Sequence, residues 1–358
     1  MFTLGPPLDR GAIAPRAGRR DEPLTRRRTV LGGAALLGLL ATAPKAVGQR
    51  PGKPVRIGYL SLRAGPNAWD EAFVQRLAEL GYKVGADLLI EYRWANEDLA
   101  LLERQVDELV RLPVDVIVTA QAPAVRIAKK ATATIPIVMV AAADPVGAGL
   151  IPDFARPGGN VTGLSVLTTE LAAKRLQFLR ELVPGAARIA VLAWNILGRD
   201  AFSSGRAGPT MLAETEAAAR LVGAEVRVHY IGSAGDLPQA FAAIEQARSQ
   251  ALIVKNNSLT FELRAAISEA SKRLRLPDMY EARELVVAGG LVSYGPDITD
   301  LYRQAPDYVD RIFKGARAGD LPVQQPTKFD LVLNLKTAKA IGLTIPQALL
   351  LRADAVIQ

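Results

Sequence analysis

From Val55 onward the chain alternates short apolar runs with stretches whose apolar residues recur every three or four positions. Val55-Arg56-Ile57-Gly58-Tyr59-Leu60 reads as a short strand. The next stretch, from about Asn67 to Leu80, sets Trp69, Phe73, Leu77 and Leu80 at helical spacing, and Gly81 stops it. The alternation continues with a strand over Leu88–Trp94, a helix over Leu99–Leu112, a strand over Asp115–Thr119, a helix over 121–133 and a strand over Ile137–Val140. Strands separated by helices of ~10–15 residues indicate βαβ units and a parallel sheet.

The second half repeats this grammar. Arg188-Ile189-Ala190-Val191-Leu192 resembles the opening strand, Ala251-Leu252-Ile253-Val254 resembles Val116-Ile117-Val118, and Leu276-Pro277-Asp278-Met279 resembles Ile135-Pro136-Ile137-Val138. The offsets are 133, about 135 and 141 residues. So steady an offset predicts two similar α/β domains in tandem rather than a solenoid of small repeats. Crossovers fall at Leu164–Leu167, Ser293–Pro296 and Gln325–Lys328. The expected fold class is therefore α/β, with two Rossmann-like lobes of parallel sheet joined by a multi-strand hinge. Lobe 1 is expected over 54–163 plus about 296–325, and lobe 2 over 164–295 plus about 326–358. Carboxyl edges of the two sheets would face each other across a cleft, a common place for a ligand. Helical stripes such as Leu171, Leu176, Leu179 and Val183 read as core, and faces such as Glu103-Arg104 and Asp107-Glu108 as solvated surface.

Composition narrows the chemistry. At 358 residues and 49% hydrophobic, the chain can build a large core. It has no cysteine, which excludes disulfides, thiolate metal sites, a cysteine nucleophile and a thioether lipid anchor. With one histidine, His229, a His-rich metal site is impossible. The net charge of +8 is concentrated in residues 1–48, which hold eight basic and three acidic residues. The remaining 36 basic and 33 acidic residues leave an ordinary surplus, so no nucleic-acid partner is expected.

That basic leader has a form of its own. Arg26, Arg27 and Arg28 precede an uncharged run from Val30 to Ala43, followed by Pro44, Lys45 and Ala46-Val47-Gly48. A basic region, a short apolar region and small residues at the junction predict a signal peptide over 1–48, cleaved after about Gly48. Fourteen uncharged residues fall short of the ~20 a membrane span needs, so the mature protein is expected free in a periplasm and not membrane-anchored. Thr25-Arg26-Arg27-Arg28-Thr29-Val30-Leu31 fits a twin-arginine signal loosely, and ordinary secretion stays open as the other route.

Familiar catalytic patterns are missing. Gly52-Lys53 is followed by Pro54 and makes no Walker A loop. Gly147-Ala148-Gly149-Leu150-Ile151-Pro152 has proline where a dinucleotide fingerprint needs its third glycine. Leu291-Val292-Ser293-Tyr294-Gly295 lacks the first glycine of a nucleophile elbow. His229, in Val226-Arg227-Val228-His229-Tyr230, reads as an outward strand residue. No enzyme activity, cofactor or metal is expected.

Four stretches carry a resemblance. They are IPIVMVAAADPVGAGL (135–150), ARPGGNVTGLS (155–165), GGLVSYGPDITDLYRQA (289–305) and LPVQQPTKFDLVLNLKTAKAIGLTIPQALLLRADAVI (321–357). Through them, about residues 54–357 resemble the periplasmic substrate-binding proteins of ABC transporters, and within these the tryptophan/aromatic-amino-acid-type family. The resemblance implies a type I periplasmic-binding-protein fold whose lobes close on a small solute, an amino acid among the candidates. It implies a monomer with an ABC permease and separate ATPase subunits as partners. A ligand-sensing module of the same fold for a membrane receptor, and a secreted α/β enzyme, remain as alternatives.

Ligand contacts are then expected at strand carboxyl ends. Ser61 precedes a helix whose free N–H groups suit a carboxylate, or it is a loop or capping residue. Gln121 and Ala122 stand before Pro123, where the resemblance implies Gly-Thr, and Gln121 is a replacement contact. Asp144 could hold a ligand ammonium or cap the following turn. Asn195 follows the sixth strand, with Ile196 where the resemblance implies proline. Asn257 and Ser258 end ALIVKNN, where relatives tend to have an acidic residue, so the ligand charge can differ. Tyr280, Glu281 and Tyr294 are placed on the opposite rim, as ligand walls or as packing. Asn160 and Thr162 are read as fixing a crossover.

Overall fold

The computed structural model describes residues 53–166, 169–195 and 209–358. The leader over 1–48, Leu167 and Ile196 lie outside the described residues.

In the first half, β1 (Val55–Ser61), β2 (Leu88–Trp94), β3 (Val116–Ala120), β4 (Ile137–Ala143) and β5 (Val161–Val166) form one parallel sheet in the order β2-β1-β3-β4-β5. The second sheet contains β6 (Arg188–Trp194), β7 (Glu225–Ile231), β8 (Ala251–Val254), β9 (Asp278–Tyr280), β10 (Val292–Gly295), β11 (Asp330–Asn334) and β12 (Ala355–Ile357). Its order is β7-β6-β8-β9-β10-β11-β12, so the first five strands repeat the order of the other sheet. Among the described residues the single departure from parallel pairing is β10 against β11. By then the chain has left for the first lobe and returned, so β11 runs against its neighbour. The architecture is a type I periplasmic-binding-protein fold of two α/β lobes.

Burial follows the periodicities that predict the elements. The first four residues of β3 and of β4 are buried without alternation, as expected of strands covered by helices on both faces. Helix Leu99–Arg111 turns Leu102, Val106 and Leu109 inward, and Gly58 lets it approach β1: a Cβ there would lie 3.3 Å from Leu109.

The crossovers are tied by backbone. Ser165 donates to the Gln324 carbonyl at 2.9 Å, and Gln324 donates to the Gly163 carbonyl at 3.0 Å. The Thr162 hydroxyl donates to the Leu321 carbonyl at 2.7 Å, and Asn160 spans the Thr132 and Ile135 carbonyls. Gly163 has φ +125°, and a Cβ there would overlap the Met139 carbonyl, so this close approach requires glycine. Opposite it, β4 carries a bulge between Met139 and Ala142. Bulges re-aim side chains, and here both Ala141 and Ala143 face the cleft.

Helix Ile298–Phe313 follows β10 of the second sheet but packs on the first lobe, against helix Ala68–Glu79, β4 and β5. Tyr302 stacks on Trp69 with centroids 5.5 Å apart, Arg76 pairs with Asp307 at 2.8 Å, and Tyr82 donates to Asp310 at 3.0 Å. Among the described residues no helix is long and apolar enough to cross a membrane.

Candidate ligand-binding cleft

A cavity of about 220 Å³ lies between the two sheets at their carboxyl edges. This is below the ~300–1,000 Å³ of pockets for drug-sized molecules, so it suits a solute of one or two rings. Its walls come from both lobes: Trp69 and Tyr302 from one side, Trp194 and Leu212 from the other. Strand ends contribute Ala120, Ala141, Ala143 and Ala193, whose small side chains leave room for a flat ring.

Trp69 is held by local chemistry. Asn67 caps the helix by accepting from the Trp69 N–H at 2.9 Å, and Asp70 accepts from the Asn67 N–H at 2.7 Å in a capping box. Behind this wall, buried Arg63 forms a bidentate pair with Asp70, at 2.6 and 2.8 Å, and Tyr59 donates to the same carboxylate. The Arg63 guanidinium also lies 5.7 Å from the Trp69 ring and 5.9 Å from the Tyr302 ring. It therefore braces two walls at once.

The polar end is a buried charge cluster. One oxygen of Glu281 accepts from Arg175 at 2.9 Å and from Lys255 at 2.7 Å, and the other accepts from the Asn256 N–H at 2.9 Å. Arg175 also donates from Nε to the Tyr294 carbonyl at 2.7 Å. All three charged side chains are 7% exposed or less. Burial alone would raise the Glu281 carboxyl, but Lys255 and Arg175 hold it down at about 2. Burial also drags the Arg175 guanidinium below its ordinary value despite Glu281. It starts so high that it remains charged at neutral pH. The cluster thus carries two cations and one anion.

Of the residues expected at the site, Gln121, Asn257 and Glu281 line the cavity together. Asn257 is also the N-cap of helix Ser258–Glu262, accepting from the Thr260 N–H at 2.9 Å. The other expected residues lie off the lining. The Ser61 hydroxyl is buried beside Arg63, accepting from its N–H at 3.2 Å. Asp144 turns back on its own loop, accepting from the Gly147 N–H at 2.9 Å. Tyr280, the last residue of β9, is fully buried off the lining, with its hydroxyl on Asp278 at 2.7 Å. The Tyr294 ring packs edge-on to Phe178 at 4.9 Å, and its backbone serves the site instead. Asn195 follows Trp194 but is not a wall, and its buried amide oxygen has no hydrogen-bond partner among the described residues. Arg175, Lys255, Trp69, Trp194 and Tyr302 were not expected at the site.

The lobes touch around this cavity. The Ser258 hydroxyl lies 2.8 Å from Glu97 and 3.3 Å from the Gln121 amide oxygen. The Trp69 indole N–H donates to Glu284 at 3.0 Å, and the Trp69 ring lies 4.3 Å from Phe261. Burial pushes the Glu97 carboxyl up to about 7, with Glu262 nearby adding to the rise and Ser258 and Arg63 opposing it. A raised carboxyl favours the fold fully below its unfolded value near 4.5, and that contribution is lost as pH rises through about 7. We expect Glu97→Gln to flatten the pH dependence of the urea midpoint between pH 4.5 and 7. An unchanged slope would show that Glu97 does not titrate there.

The ABC transporter substrate-binding protein family model matches residues 67–357. The chain belongs to this family. It is a solute-binding receptor with the type I periplasmic-binding-protein fold. Among its relatives is the Tyrosine-binding protein of Clostridioides difficile, 25% identical over 274 residues, with 76% of each chain covered. A solved ABC domain from Streptococcus pneumonia in complex with L-Trp is 26% identical at a TM-score of 0.75, covering 85% of this chain and 100% of that one. A conserved domain protein from Vibrio cholerae is 28% identical at a TM-score of 0.77, with the same shares covered.

Proposed function

We propose that this receptor takes a small organic solute bearing a carboxylate and an apolar ring, a class that includes aromatic amino acids. It closes on the solute and hands it to the permease of an ABC importer whose ATPase is a separate subunit. The observation that carries this reading is the buried Arg175–Glu281–Lys255 cluster set at one end of an aromatic-walled cavity between the lobes. The cations suit a carboxylate, and Trp69, Trp194 and Tyr302 suit a ring. The tyrosine and L-Trp named for the relatives support the same size and shape. The role is binding and not catalysis. Among the described lining residues there is no serine, threonine, histidine or aspartate, and both oxygens of Glu281 are already bonded.

Closure follows from a ligand that bridges both lobes and so favours the state in which they meet. Small-angle scattering with and without a saturating aromatic acid should show compaction, and identical profiles would rule out closure as the mechanism. The receptor works as a monomer in the periplasm after export removes residues 1–48, by the twin-arginine route. Mass spectrometry of periplasmic material should find Gln49 first, and an intact leader on membrane-bound protein would contradict this. Unimpaired export after changing Arg26, Arg27 and Arg28 to lysine would count against the twin-arginine route.

A further inference from the structure

The geometry points to a ligand that carries the carboxylate but no ammonium group: an aromatic or apolar organic acid rather than the corresponding amino acid. This inference rests on the receptor reading above and concerns the charge its cavity accepts.

Charge balance is the argument. Arg175 and Lys255 bring two positive charges into a nearly water-free setting, and Glu281 returns one negative charge. A buried charge without a counter-charge is costly. An added monoanion makes the cluster neutral, whereas a zwitterion leaves the surplus in place. Lys255 has donors for the task, since its bond to Glu281 uses one of the three N–H groups of an ammonium.

An ammonium finds no spare carboxylate among the described lining residues. Among the described lining residues Glu281 is the one carboxylate. Its oxygens are taken by Arg175, Lys255 and the Asn256 N–H, so an ammonium there would compete with two fixed cations. Asp144 caps its own turn off the lining. Glu97, bonded to Ser258, and Glu214, close to Asp144 and Lys255, stand off the lining as well. What the cavity wall does offer is the amide oxygen of Asn256, buried without a partner. A neutral acceptor matches a neutral donor, such as a phenol O–H or an indole N–H, and leaves a full positive charge uncompensated.

The test compares molecules that differ by the ammonium alone. Titration calorimetry on the purified full chain would use 3-phenylpropionate against L-phenylalanine, indole-3-propionate against L-tryptophan, and 3-phenylpropanamide as the uncharged control. The expected result is that a deaminated acid binds at least about tenfold tighter than its amino acid and than the amide. Lys255→Met leaves Arg175 and Glu281 as a neutral pair and should abolish the preference for acid over amide, while Lys255→Arg should keep it. An amino acid binding as tightly as its deaminated acid, or tighter, overturns the inference and leaves the receptor reading standing. Acid affinity within about twofold of wild type in Lys255→Met overturns the assignment of the anion to this cluster. Binding of none of the five probes counts against both readings.

Discussion

Glu281→Gln is expected to lower the stability of the folded chain by about 3–5 kcal/mol, because it strands two buried cations without a counter-charge. Few single changes have so large an effect. The carboxylate joins helix Thr169–Leu182, through Arg175, to the end of β8, through Lys255, and it fixes the Asn256 N–H as well. Its pH signature is separable from that of Glu97. A carboxyl held at about 2 contributes stability above its unfolded value near 4.5, and that contribution is lost as pH falls through about 2. The wild-type urea midpoint should therefore fall between pH 4.5 and 2 by an amount the glutamine variant no longer shows. A loss at neutral pH below about 1 kcal/mol would mean that the cluster is solvated and not buried.

Trp69→Ala should be similarly severe, about 3–5 kcal/mol for removing a large buried aromatic, and it should abolish measurable ligand binding. The ring is 6% exposed and packs on Tyr302 of its own lobe and on Phe261 of the other. Trp69→Phe separates the two roles of the side chain. It keeps a ring in the wall but leaves the Glu284 oxygen without the indole donor, a loss of ~1–3 kcal/mol. We expect the phenylalanine variant to fold, to bind, and to close less completely in scattering. Closure equal to wild type would show that the Trp69–Glu284 bond contributes nothing across the lobes.

The fold was largely legible because its signals are local. The run Asp115–Thr119 and the strand Val116–Ala120 differ by one residue at each end, and Leu88–Trp94 coincides with its strand. Buried parallel strands must be continuously apolar, and the helices between them must carry one apolar stripe. The site was less legible because it is assembled by tertiary contact. Arg175 sits between Lys174 and Leu176 and reads as part of a solvated face. One signal was present: Leu171, Arg175 and Leu179 follow at steps of four, which puts the arginine on the buried stripe. Lys255 similarly ends the apolar run Ala251–Val254. Trp69 satisfied the core pattern so well that its second role as a cavity wall left no trace. Asp144 and Tyr280 each carry two readings in the sequence, and the structure places both off the lining, one accepting from its own turn and the other donating to Asp278.

The return of helix Ile298–Phe313 onto the first lobe has a consequence for how the chain is made. Its partners on helix Ala68–Glu79 and on β4 and β5 are synthesised long before it. At ~5–20 residues per second, the roughly 150 residues from Val166 to Phe313 take about 7–30 s to emerge. For that interval the apolar groups that Tyr302 and Tyr308 will cover stay open on the nascent chain, while β6 to β10 of the second lobe are translated. Chains stalled or cut before residue 298 would keep that face uncovered and would be the natural prey of chaperones and proteases, whereas completion of one late helix closes it.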